Sequence, residues 1–87
     1  NDLEKNNSSF LDTYGWIYYK LGQYEEAERY VRKAIEFGSA SPVIHEHLGD
    51  IYFRLARKEK ALEYWQKALQ FDSTNTALRE KIQRGSL

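Results

Sequence analysis

The amino-acid sequence predicts an all-α chain: two tandem antiparallel helix-turn-helix repeats closed by a C-terminal capping helix. Three observations carry this. Shifting the 87-residue sequence by 34 positions lays Gly15 on Gly49, Ile17 on Ile51, Tyr18 on Tyr52, Leu21 on Leu55, Ala27 on Ala61, Tyr30 on Tyr64, Ala34 on Ala68 and Phe37 on Phe71. Self-similarity at a period of this size marks stacked supersecondary units. Within each copy the apolar residues recur at steps of three and four, the period of a helix face. Gly22, Gly38, the Ser41-Pro42 pair and the polar run at 72–75 interrupt that period where helices should stop or start.

Composition narrows the function classes. Lys plus Arg equals Asp plus Glu at 13 each, so no net field draws the chain to nucleic acid or to an acidic membrane. The absence of Cys excludes disulfides and thiolate chemistry, and it suits cytosol and bacterial periplasm alike. No apolar run approaches the roughly 20 residues of a membrane-spanning helix. The chain opens at Asn1 without an initiating Met, and the expectation is a piece of a larger protein.

In chain order, residues 1–7 read as a disordered polar lead-in. Its Asn6 and Asn7 each open an Asn-x-Ser sequon, a short pattern given no function here. The first repeat is placed at 8–41 and the second at 42–75, with a capping helix and tail at 76–87. Ser8 or Ser9 can cap a first helix over 9–21, Ser9 and Asp12 having capping-box spacing. Leu11, Tyr14, Gly15, Tyr18 and Leu21 form its inner stripe, and Gly22 ends it in a left-handed turn. The second helix, 24–37, opens with Glu25, Glu26 and Glu28 at the positive end of its dipole and turns Ala27, Val31, Ala34 and Ile35 inward.

Pro42 starts the third helix, 42–55, because a first helical position has no use for its N–H anyway. Ile44 or His45, then Leu48, Gly49, Ile51, Tyr52 and Leu55, form its stripe. The fourth, 58–71, directs Ala61, Trp65, Ala68 and Leu69 inward. The last, 76–84, carries Leu78 and Ile82 and stops at Gly85. A glycine inside a helix costs about 0.5–1 kcal/mol relative to Ala, so its recurrence at 15 and 49 asks for a close neighbour there.

This unit has Gly15 followed by Tyr18, Leu21-Gly22 at the turn, Tyr24 opening the next helix, and Ala27 and Ala34 seven apart. It resembles the tetratricopeptide repeat, over two full repeats and the opening of a third. The sequence departs from the family pattern in having Leu11 and His45 at the early Trp position. Ala56 and Lys58 stand at the turn Gly and the following Tyr, and Ser39 and Ser73 at the Pro after the second helix. The resemblance implies a right-handed α-solenoid whose first helices line a concave groove for extended peptides or partner helices. The expected function is protein–protein interaction within a larger scaffold; the alternative is a terminal cap or self-association unit with no ligand of its own.

Residues of the first helices not spent on the core are the candidate partner-binding set: Asp12, Trp16, Tyr19 and Lys20, then Glu46, Asp50, Phe53 and Arg54, then Glu80 and Arg84. Asp12, Glu46 and Glu80 read as a carboxylate ladder under aromatic anchors, suited to a partner with apolar and cationic side chains. The plainer reading makes these acids ordinary solvated charges and packs Trp16 against a further repeat. Asp12 and Trp16 stand where some relatives grip a terminal carboxylate with Lys and Asn, so that mode is not expected.

His45 and His47 lie about 200° apart around a helix and cannot share a metal ion. His45 is expected in the interhelix seam and His47 near the surface. No Ser/His/Asp set or phosphate-cradling Gly loop has a usable spacing, and Arg57, Lys58 and Lys60 make only a short basic turn. A non-enzymatic chain with no metal and no cofactor is expected.

Overall fold

The computed structural model describes residues 8–37 and 42–87, with only the backbone of residues 8 and 9. The expected lead-in at 1–7, its sequons, Gly38, Ser39 and the Ser41 cap lie outside the described residues, as do the side chains of the Ser8 and Ser9 cap. Five helices follow one another: α1 (Ser8–Lys20), α2 (Tyr24–Glu36), α3 (Pro42–Arg54), α4 (Lys58–Phe71) and α5 (Thr76–Arg84). α1 packs on α2 and α3 on α4 as hairpins; α2 packs on α3, α4 on α5, and α1 touches α3 across the repeat boundary.

The two hairpins close through the small residues that recur. A Cβ added to Gly15 would overlap the Val31 side chain, and one on Gly49 would overlap the Trp65 indole. The facing backbone is also near, with the carbonyls of Ala27 and Ala61 at 3.3 and 3.1 Å from those two positions. Ala27, Val31, Ala34, Leu48, Ile51, Ala61, Trp65, Ala68 and Leu78 are fully buried, so the stripes expected of α2, α3 and α4 form the core. Ile44 and His45 are both buried.

Both interhelix turns share one hydrogen-bond pattern. Gln23 N–H donates to the Tyr18 carbonyl at 2.9 Å, and Arg57 N–H donates to the Tyr52 carbonyl at 2.8 Å. The residue before each is left-handed, Gly22 at φ +80° and Ala56 at φ +63°. The second turn has Ala56 where the first has a glycine, and its backbone takes the same conformation. α5 is begun by Asn75, whose side chain accepts from Leu78 N–H at 3.0 Å, and is stopped by left-handed Gly85.

The expected stripe of α1 is only half right. Leu11 and Gly15 are buried, whereas Tyr14 is 42% and Leu21 64% exposed. Tyr14 lies at the edge of the hairpin, its ring 6.0 Å from that of Tyr30 on α2.

Candidate functional site

The first helices of the two hairpins and α5 stand side by side, so the candidate residues lie along one row. The side chains that meet across that row are not 34 residues apart. His47 Nδ1 lies 3.1 Å from an Asp12 carboxylate oxygen, Lys81 Nζ donates to Glu46 at 2.7 Å, and Arg54 Nε donates to the Tyr19 hydroxyl at 3.3 Å, each pair 35 residues apart. A residue on one first helix therefore meets the neighbour of its own counterpart on the next.

This offset changes the expected carboxylate ladder. Asp12 shares a hydrogen bond with His47 of α3, and Glu46 is ion-paired with Lys81 of α5, so two of its three rungs already have a side-chain partner within the chain. Glu80 is exposed. The pattern was readable, since His47 and Lys81 directly follow Glu46 and Glu80 in register. What was missing was the rule that i meets i+35.

Asp50 was expected in the groove and is instead 92% buried, its exposure being 8%. It accepts from Trp65 Nε1 at 2.9 Å and from Lys81 Nζ at 3.0 Å. Burial pushes its carboxyl above the ordinary value; the Lys81 charge and the two donors work against that, and nearby Glu46 adds to it. Lys81 is under the opposite pull. Burial disfavours its charge, but the hydrogen bonds and charges of Glu46 and Asp50 outweigh it and hold the amine above the usual lysine value. Glu46, Asp50 and Lys81 thus fasten α5 to α3, with the Lys81 amine also 5.7 Å from the Trp65 ring centre.

The same positions differ between repeats for a packing reason. Trp16 and Val31 in the first correspond to Asp50 and Trp65 in the second. Where the second helix of the hairpin carries the large indole, the first carries a short acid that accepts its N–H. In the first repeat Trp16 lies on the row itself, stacked with Tyr19 at 4.5 Å and with His47 at 4.0 Å. Its rings contact the next repeat.

The open end of the row is aromatic and basic. Tyr19 meets Tyr24 edge-on at 5.4 Å, the Lys20 amine lies 5.5 Å from the Trp16 ring centre, and Phe53 leans on Trp65 at 6.0 Å. Lys20, Arg54 and Arg84 are exposed; Arg54 reaches Tyr19, and Arg84 donates to the Leu87 carbonyl at 3.1 Å.

A second buried polar contact seals the two repeats from inside. The Tyr52 hydroxyl donates to Glu28 at 2.8 Å, and Arg32 pairs with the same carboxylate at 3.2 Å. Burial first, then this bond and the Glu28 charge, raise the Tyr52 pKa far above a free phenol. His45 lies against Phe71 at 5.2 Å in the seam of its own hairpin, as expected, and His47 is four-fifths buried. Among the described residues no group of three His, Cys, Asp or Glu side chains is placed to hold a metal ion, and no helix is long and apolar enough to cross a membrane.

A family profile described as tetratricopeptide repeat matches residues 8–38 and 42–75. The chain belongs to the tetratricopeptide repeat family. Tetratricopeptide repeats are, as a family, non-catalytic protein–protein interaction modules. No curated relative matches this tetratricopeptide chain.

Proposed function

We propose that this tetratricopeptide domain captures an extended segment of a partner protein along the row of α1, α3 and α5. One observation carries the choice of partner. The acids of the row have partners within the chain, Asp12 in a hydrogen bond with His47 and Glu46 and Asp50 in ion pairs with Lys81, while Lys20, Arg54 and Arg84 remain exposed beside the aromatic side chains. A partner with carboxylates and apolar groups complements that surface better than the cationic one expected from the ladder. Trp16, Tyr19 and Phe53 are the apolar contacts; stacking holds Trp16 and Tyr19 in place before binding, which lowers the entropy lost on capture. Glu80 is the row's free acid and sets the polarity of the bound segment. No catalytic, nucleic-acid or membrane role is proposed.

Selection of a random peptide library on the immobilised chain tests this. The expected enrichment is for Asp or Glu interspersed with Leu, Phe or Trp. Selected peptides should lose at least about tenfold in affinity, or 1.4 kcal/mol, on Lys20→Glu with Arg54→Glu, with the loss greatest at low salt. Enrichment of Lys- and Arg-rich peptides, or equal binding by the charge-reversed variant, would overturn the reading.

A further inference from the structure

Arg54 is exposed, and the acid that its own helix would pair with it is engaged elsewhere. Asp50 precedes it by four positions on α3, the spacing at which an acid and a base on one helix face meet. The Asp50 carboxylate instead turns inward to Trp65 Nε1 at 2.9 Å and Lys81 Nζ at 3.0 Å. Among the described residues the Arg54 guanidinium has no carboxylate partner; its hydrogen bond runs from Nε to the Tyr19 hydroxyl at 3.3 Å. The Tyr19 ring is itself held from two sides. Trp16 stacks on it at 4.5 Å and 8°, and Tyr24 of α2 meets it edge-on at 5.4 Å. With Nε taken, the two Nη groups form the edge of the planar fork that remains for a ligand. Lys20, the counterpart of Arg54 one repeat earlier, is placed differently. Its amine lies 5.5 Å from the Trp16 ring centre on its own helix, a point charge with no fixed direction.

We propose that Arg54 is the specificity-determining residue of the row: its Nη edge binds one Asp or Glu side-chain carboxylate of the captured segment, and Tyr19 positions it through the Nε bond. This rests on the capture of an acidic and apolar segment proposed above. A carboxylate is the group whose two oxygens match the guanidinium fork in parallel hydrogen bonds. The Tyr19 hydroxyl is a neutral acceptor, so it directs the guanidinium without cancelling its charge. A long side chain loses rotamer freedom when it pairs, and the contact with Tyr19 takes part of that loss during folding rather than binding. Because Tyr19 is also an apolar contact of the row, the recognised acid neighbours the apolar side chain that packs on the Tyr19 ring. Arg54 thus reads a position in the segment, whereas Lys20 adds attraction without reading one.

The test uses peptides from the library selection, synthesised with amidated C-termini and with each Asp or Glu replaced in turn by Asn or Gln. Their affinities for the 87-residue chain are measured by fluorescence anisotropy. At one position the acid should bind at least about tenfold more tightly than its amide. That ratio should fall to about one in Arg54→Gln, and to no more than about threefold in Arg54→Lys and in Tyr19→Phe, which keeps the ring but removes the hydroxyl. Lys20→Gln should weaken both peptides alike and leave the ratio at that position unchanged. A general loss of folding cannot imitate this pattern, because both peptides of a pair meet the same protein. A ratio indifferent to Arg54→Gln at every position, or unchanged in Tyr19→Phe, would overturn the proposal and leave capture by the row standing. Binding that requires a free C-terminus would assign the carboxylate to a chain end and overturn it as well. A selection that enriches no acidic peptide would overturn both readings together.

Discussion

Trp65 donates its indole N–H to Asp50 at 2.9 Å inside the second repeat, at positions the first repeat fills with Val31 and Trp16. In the second repeat the tryptophan stands on the second helix of the hairpin instead of the first, and a buried carboxylate on the first helix faces it. Asp50→Ala orphans the indole N–H and leaves Lys81 with Glu46 alone. A loss of about 2–3 kcal/mol is expected, less than for a fully broken buried pair because Glu46 remains. Trp65→Phe removes the donor but keeps most of the volume and should cost less. Urea midpoints of the two variants check both, and an Asp50→Ala protein of wild-type stability would contradict the assignment.

Gly49→Ala places a methyl group where the Trp65 indole lies. The gain in helix propensity is at most about 1 kcal/mol, against about 1–3 kcal/mol for overpacking. A net loss is expected, and it should shrink when Trp65 is simultaneously replaced by Val. Additive losses in that double-mutant cycle would show that the two residues do not compete for space.

Ala56 holds the left-handed conformation that Gly22 holds in the equivalent turn. An L-residue there carries about 1–2 kcal/mol of strain, part of which glycine returns as extra entropy of the unfolded chain. Ala56→Gly should therefore stabilise the domain by about 0.5–1 kcal/mol. Gly22→Ala should destabilise it by a similar amount through the backbone alone, since nothing lies within 4 Å of the added methyl. Thermal melts of the pair would show shifts of opposite sign.

Alkaline pH should unfold the domain earlier than its surface charges suggest. Lys81 and Tyr52 both have pKa values raised above their free values of 10.5 and 10.0. A group whose pKa is raised by folding contributes stability that is complete below its unfolded pKa and is lost as pH climbs through the folded one. Stability should be level from neutral pH to about 9.5 and fall above about pH 10. Tyr52→Phe should start lower and fall less. Asp50 follows the same sign at the acid end: its raised pKa means that its ionisation opposes folding, so it is not a group whose protonation drives acid unfolding. Urea midpoints at successive pH values give the profile, and a midpoint unchanged from pH 8 to about 11 would count against both groups.

Much of this architecture was legible before any coordinates. Helix ends depend on local chemistry, so Gly22, Pro42, Asn75 and Gly85 marked them to within a residue or two. The inner faces of α2 and α4 were legible because small residues seven apart have one use at a helix crossing. The site was less so. Tyr14 and Leu21 have helical spacing with both the core and the exposed side of α1, and only the position of α2 decides between them.

The sequence by itself determined the repeat, its period of 34 and the glycines at 15 and 49, because these express local helix geometry copied twice. The tertiary structure alone decided what the row of first helices offers a partner. Stacking brings residue i against residue i+35, through space and across two turns, and no local pattern encodes that offset. It engages Asp12 and Glu46, two of the three acids of the expected ladder, in contacts within the chain, and leaves Lys20, Arg54 and Arg84 facing solvent.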